Sequence, residues 1–390
     1  MNKVIRFLKQ IKSNSKIIAI SFFGVVGIST IILTSVNFTG ISIITAAGSS
    51  SIFPLMNAMA NLYSAIEPST EIMVESGGSG AGLTAASRLS KDIGNVTGTV
   101  TTKKVGAPEI GILGSPNYQP AIEQGSWANW EANEMKTITI GWDAIGIVYK
   151  PLNPDVNLNI DQNNILKLFE TFTGYKTHKM SDLTNNIADD VSPNGEAKIL
   201  TPFSRTGGYE ASGTASNFSK NTNLNPNTPP EIEEILRTGA YLNNVIATPE
   251  SNVEAWKQFS LSGKDNTMIY LSSYFILANE QFIKDSGFKI ATYNGVELAK
   301  QNITKTYNWF TSANAIVSTK GIQNSNTPLK RFIDWIIMDG EEINKGIPHW
   351  IRLTPDQINS MKNAAGEFWV SDYALVREIG DQNRGYGAIV

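Results

Sequence analysis

Apolar and polar positions along this chain alternate between two periods. Residues 41–45 and 71–75 are short, apolar or β-branched runs and predict strands; each leads through a small-residue turn into helical spacing. After the first run, Leu55, Met59, Leu62 and Ile66 recur at helical intervals, and Ser51 before Pro54 fits a helix start. After the second, residues 83–89 are good helix formers. Residues 137–140, 145–149 and 267–276 predict further strands, and 160–172 a short helix with Ile165, Leu168 and Phe169 on one face. The clearest amphipathic helix is 327–338, where Leu329, Phe332, Ile333, Ile336 and Ile337 fall at i, i+3, i+4, i+7 and i+8. Residues 181–230 are rich in Asn, Thr, Gly and Pro and read largely as loop. The alternation implies an α/β fold with sheets covered on both faces.

The N-terminus departs from this pattern. Lys3, Arg6, Lys9, Lys12 and Lys16 stand in an acid-free segment, 1–16, and residues 17–36 are uncharged and mostly apolar. Twenty helical residues span the hydrocarbon core of about 30 Å, and the basic flank places 1–16 in the cytoplasm and the rest outside. The run exceeds the roughly 7–15 residues usual for a signal h-region. Thr45-Ala46-Ala47 would serve as a cleavage site, but cleavage there would remove the first strand. An uncleaved transmembrane anchor is the expectation, with a cleaved signal peptide and secretion as the alternative.

Composition narrows the function. At 390 residues, 41% apolar, the chain suits two or three domains with large cores. It has no cysteine, which excludes disulfides, thiolate catalysis, Cys-ligated metal and a lipid-modified cysteine in this sequence. Two histidines, His178 and His349, argue against a His-rich metal site. The net charge of −3 gives no basic excess for nucleic acid. Without the five positive charges of 1–16, the exterior part carries −8, so an anion site there must work through local dipoles and hydrogen bonds.

Three turns share one chemistry: 48–54, 77–82 and 212–214 are small and hydroxyl-bearing, and each opens a predicted helix. A helix start leaves about four backbone N–H groups unpaired, and with the macrodipole they attract an anion. Arg205 upstream of the third turn offers a charged fork. A rival reading takes Gly80-Ala81-Gly82-Leu83-Thr84-Ala85 as a dinucleotide fingerprint, but no acidic residue follows at the required distance of about 20 residues. No P-loop motif is present, and no acid or histidine cluster is assembled for phosphate-ester hydrolysis.

These motifs resemble the phosphate-binding proteins of the Pst ABC uptake systems over about residues 41–355. Gly48-Ser-Ser-Ser-Ile-Phe-Pro-Leu-Met56 is similar to that family's opening G-S-T-S-x-x-P-L-M, and Glu75-Ser-Gly-Gly-Ser-Gly-Ala-Gly82 to its G-G-S-G-x-G turn. Lys91-Asp-Ile-Gly94, the stretch 166–183, Phe203-Ser-Arg205, Ser212-Gly-Thr214, Asn294-Gly-Val-Glu297 and the helix at 328–338 extend the likeness. The resemblance implies a two-lobed, type II periplasmic-binding-protein-like α/β fold. Residues 41–138 and 316–390 would form lobe one and 139–315 lobe two, with hinge strands at 138–141 and 310–315. It implies phosphate bound by Ser50, Ser51, Ser79, Gly80, Thr97, Arg205, Ser212, Gly213 and Thr214, with no cofactor, no metal and no catalysis. The partners would be inorganic phosphate and the permease subunits of an ABC transporter, and the protein a membrane-tethered monomer on the extracellular face. Sulfate, molybdate or a surface adhesin reusing the fold are the alternatives. Two features depart from the family pattern. The segment 206–211 lengthens the loop between Arg205 and Ser212 and could carry Arg205 out of the cleft, and Thr97 stands where some members place an Asp that accepts a proton from phosphate; Glu210 is an alternative acceptor.

Overall fold

The computed structural model describes residues 40–98, 100–103, 109–112, 125–126, 134–190, 198–220, 228–320, 327–360 and 377–378. The chain divides into Met1–Ser42 and Ile43–Val390, and the architecture below is that of the second unit. The expected anchor, 17–36, lies outside the described residues; among those described, no helix is long and apolar enough to cross a membrane.

The strands, in chain order, are β1 (Ser42–Gly48), β2 (Thr70–Ser76), β3 (Ile93–Thr97), β4 (Val100–Lys103), β5 (Glu109–Ile112), β6 (Gly125–Ser126), β7 (Met135–Lys150), β8 (Asn159–Ile160), β9 (Thr201–Arg205), β10 (Ile246–Thr248), β11 (Thr267–Ser272), β12 (Lys289–Ile290), β13 (Thr292–Tyr293), β14 (Phe310–Ser318) and β15 (Arg377–Glu378). The main sheet runs β10-β9-β11-β7-β14-β3-β1-β2, with β12 added on β7. Two smaller sheets pair β13 with β8 and order β15-β4-β5-β6.

β7 and β14 hold the main sheet together. β7 pairs antiparallel with β14 over 135–144 and with β11 over 145–150, while β14 pairs with β3 over 313–317. One half of the sheet is thus β2-β1-β3-β14 and the other β10-β9-β11-β7, each flanked by helices: a two-lobed α/β arrangement. The two strands expected at 137–140 and 145–149 are one strand of 16 residues. Gly141, Asp143 and Gly146 interrupt the apolar pattern in the sequence, but each is accommodated in the strand. A Cβ at Gly141 would lie 2.4 Å from Trp350 Nε1, so glycine here is a packing requirement and not a break.

Helices pack on both halves. The helix Phe53–Ile66 buries Leu55, Met56, Met59, Ala60 and Tyr63. Its buried stripe is turned from the expected one, and Ile66 is exposed. The reason is the neighbour: Tyr63 meets Phe332 and Trp335 of the helix Pro328–Met338, with ring centroids 5.1 and 5.2 Å apart. Thr327 caps that helix, accepting from the Lys330 amide. In the other half, Phe218 stacks on Tyr270 with centroids 4.3 Å apart and touches Phe169, Phe172 and Trp309. Phe218 belongs to the helix Gly213–Lys220, so this aromatic cluster fixes the helix whose start carries Gly213 and Thr214.

The segment read as loop holds β9 and the short helices Met180–Thr184, Gly208–Ala211 and Gly213–Lys220. Helices of four to eight residues, built largely of Ser, Thr, Asn and Gly, show no usable apolar period. The expected strand 267–276 ends at Ser272 and continues as the helix Ser273–Ala278.

Candidate functional site

The first two turns are knitted together by backbone. Gly48 ends β1 at φ 139°, and its carbonyl accepts from the amides of Gly77 and Gly78 at 2.9 and 3.0 Å. A Cβ on Gly48 would lie 2.1 Å from the Asn95 carbonyl of β3. The close approach of β1, β2 and β3 therefore needs glycine at this position. It brings Ser49, Ser50 and Ser51 alongside Ser79 and Thr97. Ser49 Oγ lies 2.6 Å from Thr97 Oγ1, and the Thr97 amide donates to Ser79 Oγ at 3.1 Å.

The third turn comes from the other half of the sheet. Ser212 caps its helix, accepting from the Ala215 amide at 3.1 Å. Thr214 Oγ1 lies 2.8 Å from Ser51 Oγ. Gly213 presses on the second turn so closely that a Cβ there would be 2.1 Å from Ser79 Oγ. Three helix starts, Phe53–Ile66, Ser79–Ser87 and Gly213–Lys220, thus converge from two halves of the molecule. Ser51, Ser79, Thr97, Ser212 and Thr214 are all buried there.

Arg205 ends β9 and is fully buried. Its NH1 donates to Thr248 Oγ1 at 3.1 Å and to the Pro249 carbonyl at 3.4 Å, and its NH2 donates to Asn252 Oδ1 at 2.8 Å. Asn252 Nδ2 in turn donates to Ser51 Oγ at 3.4 Å. The guanidinium is therefore one side chain removed from the hydroxyl pair of Ser51 and Thr214. Nε is buried without a partner. The longer loop does not carry Arg205 into solvent: 206–211 folds back through the short helix Gly208–Ala211, with Gly207 and Gly208 at φ 77° and 56°. The backbone of Arg205 is also clamped, its amide donating to Tyr270 OH at 2.8 Å and its carbonyl accepting from Tyr241 OH at 2.5 Å. Burial lowers the guanidinium pKa from its ordinary value, with the Glu250 carboxyl acting in the opposite sense.

Glu250, Asn252 and Ser49 were not singled out in the sequence. Ser50 turns toward Glu250, donating to its carbonyl at 2.9 Å and to Oε1 at 3.2 Å. The residue is partly exposed, but Oε2 is buried without a partner. Burial pushes this carboxyl up to about 7, against the pull of Arg205 and of the hydroxyls of Ser212 and Ser50. The sequence signal was Ser251-Asn-Val-Glu254, a helix start with Ser251 accepting from the Glu254 amide. Gly80 lies buried inside the helix Ser79–Ser87. Thr97 occupies the end of β3, held by Ser49 and Ser79.

A narrow pocket adjoins Ser51, lined by Trp142, Asp143, Tyr274, His349 and Trp350 among others. Asp143 Oδ1 accepts from Ser272 and Ser273 at 2.8 and 3.0 Å. Burial pushes its carboxyl up to about 6, with those hydroxyls opposing. Asp143 thereby ties β7 to the start of the helix Ser273–Ala278. Among the described residues no group of three or more His, Asp or Glu side chains is placed to hold a metal ion.

Residues 34–340 match a family model described as a PBP superfamily domain. The chain belongs to that family. A relative named uncharacterized lipoprotein MG412, from Mycoplasma genitalium, is 31% identical over 370 residues, covering 87% of this chain and 92% of its own length. Among solved structures, a putative phosphate ABC transporter substrate-binding protein with bound phosphate from Clostridium perfringens is 18% identical. It has a TM-score of 0.52 and covers 80% of this chain and 100% of its own. A phosphate-binding protein from Stenotrophomonas maltophilia is 11% identical, with a TM-score of 0.52, covering 86% and 100%. At such identities the likeness is one of fold. This PBP-superfamily chain therefore shares the two-lobed fold of Pst-type phosphate-binding proteins, and its sequence motifs resemble theirs.

Proposed function

We propose that this protein captures inorganic phosphate between two lobes and delivers it to an ABC permease, with no chemistry of its own. The observation that carries this reading is the convergence of three hydroxyl-bearing helix starts, drawn from both halves of the sheet, beside the buried Arg205. Backbone N–H groups, short hydroxyls and one fixed guanidinium suit a tetrahedral oxyanion. Residues 41–138 and 316–390 form lobe one in this reading, and 139–315 lobe two, with β7 and β14 as the crossing strands. Ser50, Ser51, Ser79, Gly80 and Thr97 act from lobe one, and Arg205, Ser212, Gly213 and Thr214 from lobe two. Contacts made to both lobes at once favour the closed form, which docks on the transporter as a monomer. The phosphate ligands named for the solved relatives support phosphate as the anion. Calorimetric titration tests this: phosphate should bind with sulfate weaker, and sulfate binding as tightly as phosphate would make this a carrier of another tetrahedral oxyanion.

The chain works outside the cell on an N-terminal anchor, 17–36, in this reading. With no cysteine in the sequence, a thioether-linked lipid has no attachment point, whereas the M. genitalium relative is named a lipoprotein. β1 lies between β3 and β2 in the main sheet. Cleavage after Ala47 would remove that internal strand and the Thr45 contacts to Asp92 at 2.8 Å. Protein extracted from membranes should therefore retain residues 1–36 when its intact mass is measured; a mature start between residues 36 and 48 would make the segment a cleaved signal.

A further inference from the structure

Glu250 is an acidic side chain at the meeting point of donors suited to an anion. Ser50 donates to its Oε1 at 3.2 Å, Ser212 faces the carboxyl from the third turn, and the Glu250 Cγ is 3.5 Å from where a Cβ on Gly78 would stand, at the start of the helix Ser79–Ser87. Arg205 faces it from β9 and Tyr270 from β11. The turns at 49–51 and 77–79 bring no ionisable side chain, and the third turn presents Ser212. The hydrogen bonds described for the guanidinium go to Thr248, Pro249 and Asn252, so Glu250 is attracted by Arg205 without being paired to it. A carboxylate in this position would repel an anion held by the same hydroxyls. Its second oxygen, Oε2, is enclosed and lacks any partner.

We propose that Glu250 joins the site as a neutral carboxylic acid whose Oε2–H donates to the bound anion, so that capture of the anion takes up one proton from solvent. The inference rests on the phosphate reading above and deepens it. A neutral carboxyl has one donor and remaining acceptor capacity. Oε1 keeps its bond from Ser50, while the anion supplies the acceptor that Oε2–H otherwise lacks. No covalent bond changes beyond the protonation itself: one solvent proton moves to Oε2, and an Oε2–H···O hydrogen bond to the anion forms.

The direction of the linkage follows. Burial between the turns of both halves pushes the Glu250 carboxyl up to about 7, above its ordinary value. A group whose pKa rises on closure holds its proton more tightly when closed. Closure is thus favoured as the pH falls through this range and opposed above it. Tyr270 is pushed up to about 12 by burial and does not titrate in this window.

The test is calorimetry of the full-chain protein with inorganic phosphate at pH 6, in two buffers of different ionisation enthalpy, on the parent and on Glu250→Gln. The parent should take up close to one proton per phosphate, and its affinity should fall as the pH rises from about 5 to about 7, approaching tenfold per pH unit. Glu250→Gln, whose amide N–H₂ replaces the donor, should bind phosphate with little proton uptake and a flat pH profile. Phosphate binding without proton uptake in the parent would overturn the proposal, as would the same uptake in Glu250→Gln, which would put the proton on the phosphate. Both results leave the phosphate reading standing. Absence of phosphate binding in both proteins, at any pH in this range, would overturn that reading and this inference together.

Discussion

Arg205→Ala is expected to weaken phosphate binding by on the order of 3–5 kcal/mol, as for loss of one partner of a buried charge pair. Ser79→Ala or Thr214→Ala should cost about 1–3 kcal/mol, the loss of one donor to a charged acceptor. The ranking follows from where the charges lie. Residues 17–390 carry a net −8, so long-range attraction does not gather the anion. The fixed positive charge beside the site is the guanidinium, already oriented by Thr248, Pro249 and Asn252. Its field acts in a dry interior, and through Asn252 it aligns Ser51 Oγ. Arg205→Lys should recover only part, because an ammonium lacks the planar fork that spans Thr248 and Asn252. Titration calorimetry on the variants, with melting curves to confirm folding, measures this. A folded Arg205→Ala that binds phosphate as the parent does would show that the helix starts hold the anion alone.

Gly213→Ala should separate binding from stability. A Cβ there would lie 2.1 Å from Ser79 Oγ and 3.0 Å from the Thr97 carbonyl. Both contacts are made across the line where the two halves of the sheet meet. The added methyl would act as a wedge, and overpacking of this kind costs about 1–3 kcal/mol, a loss of roughly five- to 150-fold in affinity. Gly213 is the first residue of the helix Gly213–Lys220, where the helix-interior preference for alanine has little weight, so the methyl acts chiefly on closure. The expected result is a melting temperature little changed, with phosphate binding weakened. Equal loss of both would mean that Gly213 serves the fold and not the closure.

The parts of the fold that were legible in the sequence were those with a strong period or a fixed turn. The helix Pro328–Met338 announced itself by five apolar positions on one face and Thr327 at its start. Gly48 and the Gly77-Gly78 pair marked turns whose tightness the structure explains through Asn95 and the Gly48 carbonyl. β7 was split into two because glycine and aspartate inside a wholly buried strand look like punctuation. The short helices around Arg205 read as loop because four to eight residues carry no apolar period; Gly213–Lys220 is held by the single ring of Phe218 packed on Phe169, Phe172, Tyr270 and Trp309. Arg205 itself is legible, but its placement depends on 206–211, and no local pattern states that this segment forms a short helix packed on Gly213–Lys220 and Pro230–Thr238. Glu250 escaped because its importance is entirely tertiary: it is 200 residues from Ser50, and only the fold makes them neighbours.

In the proposed phosphate site the hydroxyls can donate and accept, and the Thr97 carbonyl lies beside them, so the P–OH of monohydrogen phosphate would have an acceptor. Sulfate brings acceptors only and meets those lone pairs directly. The most direct measurement is a calorimetric titration of the protein with inorganic phosphate and, separately, with sulfate in the same buffer. Saturable one-to-one phosphate binding, with sulfate much weaker, is the predicted result. No heat from phosphate, or sulfate bound as tightly or more tightly, would contradict it.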